Sequence, residues 1–328
     1  MAGGLSVWAA DPGAPTSARV VIIQNPQATE AYQPRSEIVQ TMMDAAIQRF
    51  TGSNSVAAAW GSLVGTNDTV GIKVYCDPGP ASGTRPAVAA AVVRGLLAAQ
   101  VPPARIVIWD RRLADLRRAG FDQVASQLGV RLVGSADTGY DKKTFYETAL
   151  VGRLVWGDLE FGETGEGIGR KSYVSKLVSS ELTKIINLPP LLNNNDAGVA
   201  GNLYSLSLGS VDNIQRFEDD PDRLATAVPE IYALPQLGDH VVLNIVDALV
   251  CQYEGGAHTM LHYATTLNQL RFSRDPVALD VLSIDELERL RVRAGFPSVR
   301  TNLTLYQNAS LLELGVSDPA KIHIEKIP

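Results

Sequence analysis

A chain of 328 residues with 45% hydrophobic and 20% charged residues can bury a large core, as one big α/β domain or two unequal lobes, and has the balance of an ordinary globular protein. No apolar run reaches the roughly 18 residues that a membrane-spanning helix needs, no period recurs as in a repeat array, and a net charge of −6 with scattered basic residues argues against nucleic acid as the main partner. The two cysteines, Cys76 and Cys251, are too few for an iron–sulfur cluster, which takes about four ligands.

In chain order, residues 1–18 are small and apolar, then rich in Pro, Ala and Thr, and SVWAA before Asp11 is similar to the end of a secretion signal without its charged front. The expectation is a periplasmic or otherwise extracytoplasmic protein; a cytoplasmic N-terminus of the same composition fits as well. The segment RVVIIQN (19–25) is predicted as a strand, and SEIVQTMMDAAIQRF (36–50), with Ile38, Met42, Ala45, Ala46 and Phe50 on one face, as a helix. VGIKVYCD (70–77) and ARIVIWD (104–110) read as strands, and GTRPAVAAAVVRGLLAAQ (83–100) and LADLRRAGFDQVASQLG (113–129) as helices. Strands alternating with helices in this way imply βαβ units and a parallel sheet covered on both faces. From about 150 to 180 the pattern shifts to short alternating stretches around a Gly-rich turn, which predicts a small antiparallel insertion.

LTKIINLP (182–189) resumes the parallel pattern, followed by the loop LLNNNDAGVAGNLYSLSLGSVDN (191–213), a helix through 221–234 and the strand VVLNIVDALV (241–250). The tail is predicted as two helical pieces over 275–295, a helix over 301–315 ending at Gly315, and a closing strand KIHIEKI (321–327). The fold class is therefore α/β, a mainly parallel sheet with helices on both faces and a small antiparallel insertion, with residues 19–328 as a single large domain.

Motifs narrow the chemistry. GETGEGIGRKS (162–172) lacks the spacing of a phosphate-binding loop, since Arg170 separates Gly169 from Lys171, and reads as a hairpin tip. No G-x-G-x-x-G opens a helix after a strand, so NAD binding has no local support, and no G-x-S-x-G elbow marks a serine hydrolase. In GTRP (83–86), Thr84 stands where a helix cap would be and Pro86 at a first-turn position. Arg85 serves no capping purpose, so the N–H groups from Thr84 to Ala87, Arg85 and Lys73 form a candidate anion site as readily as a plain cap. In AHTMLH (257–262), His258 and His262 have the i, i+4 spacing of zinc-binding helices, without the glutamate or a third ligand. Packing is the commoner reading of that pair; Asp247 or Glu254 would be its nearest carboxylate.

Taken together, the segments VGIKVYCDPGPASGTRPAVAAAVVRGLLAAQ, IVIWDRRLADLRRAGF, LTKIINLPPLLNNNDAGVAGNLYSLSLGSVDN, VVLNIVDAL and SRDPVALD resemble the bacterial family known as domain of unknown function 362. The resemblance spans about 20–325 and rests on the Ile-Lys strand, the Thr-x-Pro helix entry, the strand ending in Asn-Leu-Pro, the Gly-Asn-Leu and Gly-Ser-Val-Asp-Asn segments, and Asp275-Pro276-Val277-Ala278 with Asp280. It implies no specific activity. Some relatives carry ferredoxin-like cysteine clusters, which this chain lacks, and many are exported. Family members often have Lys and His after the strand-end proline, where this chain has Leu191 to Asn195. The Thr-Arg-Pro entry is more distantly similar to nickel-pincer lactate racemases, whose histidines find no match here.

In a parallel sheet, ligands bind outside the carboxyl ends of the strands. Asn25, Cys76, Asp77, Asp110, Asn187 and Asp247 fall at such ends, and the asparagine-rich loop follows one of them as an uncharged hydrogen-bonding wall. The expected site therefore holds a small anionic molecule, with Lys73, Thr84, Arg85, Asn187, Asn193, Asn194 and Asn202 as ligand-binding residues and Asp110 and Asp247 as acid–base candidates. Three functions fit: an enzyme acting on a small anionic metabolite, a non-catalytic extracytoplasmic binding protein, or a metal protein centred on His258 and His262. No cofactor and no oligomeric state is indicated. Cys76 and Cys251 each close an apolar strand; a disulfide requires those strands to be neighbours, and otherwise both are buried thiols.

Overall fold

The apolar runs become strands because each is buried on both faces, the setting in which continuous rather than alternating hydrophobicity suits a parallel sheet. The computed structural model describes residues 17–256, 258–297 and 303–327. The main strands are β1 (Ala18–Gln24), β2 (Val70–Val74), β3 (Ile106–Asp110), β4 (Arg131–Gly134), β5 (Lys184–Leu188), β6 (Val241–Gln252), β7 (Ala264–Ser273) and β8 (Ile322–Ile327). They lie in the order β8-β1-β7-β6-β5-β2-β3-β4. Every neighbouring pair is parallel except the two made by β7. A mainly parallel α/β sheet with the six expected strands is thus present. The strand β7 was not foreseen, because Thr265, Thr266, Asn268 and Gln269 give it no apolar alternation; its place between β1 and β6 makes it a strand.

Alternation along the strands divides two apolar layers. Val70, Ile72 and Val74 of β2 pack with Ile106 and Ile108 of β3 against Val88, Val92 and Leu96 of the helix Pro86–Ala98 and Met42, Met43 and Ile47 of the helix Ser36–Thr51. Val107 and Trp109 face the other way, toward a layer that includes Leu203 and Leu206 of the helix Asn202–Ser210, Leu224 and Val228 of Pro221–Tyr232, and Leu279 of Pro276–Arg293. Lys73 alternates with Ile72 and Val74, so it enters this second layer. The helix Asn202–Ser210 is buried on all sides, and no amphipathic stripe announces it within the asparagine-rich segment.

Several boundaries differ from expectation. Residues 113–129 form two helices, Leu113–Arg118 and Phe121–Leu128, separated where Gly120 takes φ 87°. The stretch 275–295, expected in two pieces, is the single helix Pro276–Arg293, capped by Asp275 with Pro276 at its first position. The next helix runs Thr304–Leu311 and stops short of Gly315, where a Cβ would lie 2.0 Å from Asp275 Oδ1. The antiparallel insertion begins earlier than expected, pairing Tyr140–Arg153 with Ile168–Ser175 around a short helix, Leu159–Thr164. Buried Arg216 ties it to the body, donating to the Tyr146 and Leu150 carbonyls and to the hydroxyls of Thr148 and Ser172. No helix among the described residues is long and apolar enough to cross a membrane. Residues 1–16, most of the segment expected as a signal remnant, lie outside the described residues.

Cys76 follows the end of β2 and Cys251 lies on β6, and β5 separates those two strands, so the adjacency that a disulfide requires is absent. Both thiols are free and buried.

Candidate functional site

Lys73, near the end of β2, lies in register with Trp109 on β3, one residue before Asp110. Its Nζ donates to Asp110 Oδ1 at 2.8 Å and to the Val74 carbonyl at 2.6 Å, between the faces of Trp109 and Tyr75. Asp110 Oδ2 accepts from the Cys76 N–H at 2.7 Å. The pair is almost fully buried, so each charge depends on the other. Gly209 makes room for it, since a Cβ there would lie 2.4 Å from Lys73 Cε.

Thr84 is not the helix cap. Its hydroxyl accepts from the Tyr75 N–H at 2.9 Å and donates to the Leu188 carbonyl at 2.8 Å, which joins the ends of β2 and β5. The cap position belongs to Arg85. Its N–H donates to Asp247 Oδ2 at 2.9 Å, and its guanidinium reaches the same oxygen at 3.2 Å. Asp247 Oδ1 also accepts from the Leu249 N–H. The positive start of this helix therefore already holds an anion, the protein's own buried carboxylate.

The asparagines are bound inward. Asn187 Nδ2 donates to the Asn202 carbonyl at 2.9 Å and to Asn244 Oδ1 at 3.3 Å, while its Oδ1 has no hydrogen-bond partner. Asn202 N and Nδ2 both donate to Asp280 Oδ1, at 2.7 and 2.8 Å, and the Leu203 N–H reaches Oδ2 at 3.0 Å. Asp280 thus caps the buried helix from a different helix. Burial pushes its carboxyl up to about 7, against the pull of those three donors. Asn193 accepts from the Gly256 N–H and donates to Asn195, and Asn194 accepts from the N–H groups of Asp196 and Ala197. This wall is a buried scaffold.

His258 and His262 are exposed and belong to no α-helix, so the spacing that would put both imidazoles on one helical face has no such consequence here. The His262 ring packs on Tyr263, with centroids 3.9 Å apart. Ala257 lies outside the described residues. Among the described residues no group of three or more His, Cys, Asp or Glu is arranged to hold a metal ion.

At the carboxyl ends of β2 and β3 a cleft of about 100 Å³ opens against the helix Asn202–Ser210. Asp110 lines it, and Lys73 reaches it through Asp110; Arg85, Asp247 and the predicted asparagines do not line it. Asp77, already placed at a strand end by the sequence, lines it too, and its other chemistry comes from residues not singled out as a site: Tyr75 after β2, Arg111 and Arg112 after β3, Tyr204 and Ser205 on the helix, and Glu218. Ser205 is 2% exposed and its hydroxyl has no hydrogen-bond partner. Burial raises the Glu218 carboxyl, and the Arg111 guanidinium pulls it back down. Burial also raises the Tyr75 and Tyr204 phenols, which keeps both rings neutral. The signal available in the sequence was positional, since Asp110-Arg111-Arg112 follows a strand end directly. A larger hollow of about 600 Å³ lies near Ala18, Ser273 and Gly315. Its carboxylate, Asp275, is taken by the N–H groups of Ala278 and Val316, so chemistry favours the smaller cleft.

A family model described as a domain of unknown function (DUF362) matches residues 70–285. No curated protein matches. A solved structure of a Thermotoga maritima protein, a structural genomics target, is similar at 10% identity and a TM-score of 0.40, covering 82% of this chain and 61% of that one.

Proposed function

The chain belongs to the DUF362 family, whose description carries no activity, and we propose from the cleft itself that the protein binds a small metabolite bearing an anionic group. The observation that supports this is the placement of Arg111 and Arg112 at the carboxyl end of β3, beside the unpartnered Ser205 hydroxyl. Neither guanidinium is in a salt bridge among the described residues, whereas Lys73 and Arg85 are each matched by a buried carboxylate. The clamping role expected of Lys73 and Arg85 therefore passes to the two arginines at the mouth. Lys73 and Asp110 form the fixed floor.

Binding without turnover is the reading that the geometry favours. Asp110 is held by the Lys73 ammonium on one oxygen and by the Cys76 N–H on the other, so taking up a proton there would cost the buried ion pair that fixes it. A screen of small carboxylates and phosphates by thermal shift, followed by turnover assays on each hit, tests the proposal. Stabilisation that disappears in Arg111→Gln and Arg112→Gln is expected, with no product formed. Stabilisation indifferent to both variants would move the site elsewhere, and product formation would restore the enzymatic reading.

A further inference from the structure

The charges around the cleft do not all find partners within the protein. Lys73 is paired with Asp110 at 2.8 Å and Asp115 with Arg118 at 3.0 Å. What remains is Asp77 and Glu218 on one side of the ledger and Arg111 and Arg112 on the other, and none of the four is in a salt bridge within 4.0 Å among the described residues. Arg111 acts on the Tyr140 phenol, which burial raises and the guanidinium pulls back down. A cleft made only for an anion has no need of Asp77 and Glu218, whose carboxylates would repel it.

We propose that the ligand is a small zwitterion, its carboxylate held by Arg111 and Arg112 and its ammonium by Asp77 and Glu218. The inference rests on the binding reading above and names the ligand class of that same cleft. Tyr75 and Tyr204 present neutral aromatic rings to the cleft, favourable neighbours for an ammonium group. Ser205, buried and without a partner, supplies a hydroxyl that can donate to the carboxylate or accept from the ammonium. Leu208 and Ile214 give the same cleft an apolar patch suited to a short side chain. The volume of about 100 Å³, at roughly 10–15 Å³ for each water-sized sphere, suits a molecule the size of a small amino acid and is too small for a nucleotide.

The test uses three probes that differ only in the charged groups they carry: L-alanine, propionate, which lacks the ammonium, and ethylamine, which lacks the carboxylate. Each is titrated by calorimetry into the wild-type protein and into Asp77→Asn, Glu218→Gln and Arg111→Gln, with circular dichroism confirming that each variant is folded. The expected result is that L-alanine binds at least tenfold more tightly than either fragment. Asp77→Asn and Glu218→Gln should weaken L-alanine tenfold or more and leave propionate unchanged, while Arg111→Gln weakens both. Propionate binding as tightly as L-alanine, with no effect of Asp77→Asn or Glu218→Gln, overturns the zwitterion and leaves the anion site standing. Ethylamine binding as tightly as L-alanine also overturns it. If none of the three binds, and the wider screen of carboxylates and phosphates is equally silent, the binding reading falls with it.

Discussion

Lys73 and Asp110 show how much a single pair decides. Breaking a buried ion pair by removing one partner strands a charge at a cost of about 3–5 kcal/mol, whereas replacing both partners can be close to neutral. Lys73→Met and Asp110→Asn should each lower unfolding free energy by about that amount, and the double variant should recover much of the loss, as read by urea denaturation. Additive single losses would mean that the two do not depend on each other. Thr84→Val makes a separate prediction, because it leaves the buried Tyr75 N–H and Leu188 carbonyl without their shared hydroxyl. The expected loss is about 1–3 kcal/mol, with little change if the residue were only a helix cap. At this scale the sequence was partly legible. A lysine inside the apolar run VGIKV had to be buried and matched, and Asp110 at a strand end was an evident candidate. That Arg85 meets Asp247 rather than a ligand depends on the order of strands, which no local pattern encodes.

Elements meet through glycines and carboxylates whose purpose lies in a neighbouring element. Gly209 stands where the buried helix passes Lys73, and Gly201 where its start meets Asp280, with a Cβ at Gly201 only 2.2 Å from Asp280 Oδ1. Gly209→Ala should therefore push the lysine off Asp110, cost about 1–3 kcal/mol as overpacking does, and weaken ligand binding in the cleft; unchanged binding would detach the helix from the site. Asp280 predicts a pH effect. Its carboxyl is pushed up to about 7 in the fold, against about 3.9 unfolded. Between those values the folded chain holds a proton that the unfolded chain has released, so stability is greatest at the acid end of the window and falls as pH rises toward 7. The slope is at most about 1.4 kcal/mol per pH unit. Denaturation at pH 5 and pH 7.5 should show this decline reduced in Asp280→Asn; parallel declines would mean that Asp280 is ionised in the fold throughout. The strands and most helices were visible because apolar runs and helical periodicity are local. The helix Asn202–Ser210 and the strand β7 were not, since one is buried all round and the other is half polar, and each takes its form from its neighbours.

On the scale of the whole molecule, the sheet separates two apolar layers, and each contains one cysteine. Cys76 belongs to the layer with the helix Pro86–Ala98, and Cys251 to the layer with Asn202–Ser210 and Pro276–Arg293. Both thiols are 0% exposed. Burial raises the Cys76 thiol, helped by the Asp110 carboxylate, and pushes the Cys251 thiol up to about 12, so neither supplies reactive thiolate in the folded protein. Modification must then wait for opening, and its rate measures how often each layer opens. β1, β3, β5 and β6 contribute alternate side chains to both layers, so one layer cannot come apart without exposing the strands that the other covers. We therefore expect the chain from β1 to β8 to open as one cooperative unit. Thiol labelling in the native state, followed by mass spectrometry of each cysteine, should give the same opening free energy for Cys76 and Cys251, equal to that from global denaturation, and two free thiols per unfolded chain. Labelling of one cysteine at a free energy several kcal/mol below the other would show that its layer opens alone, and that the chain is two units sharing a sheet.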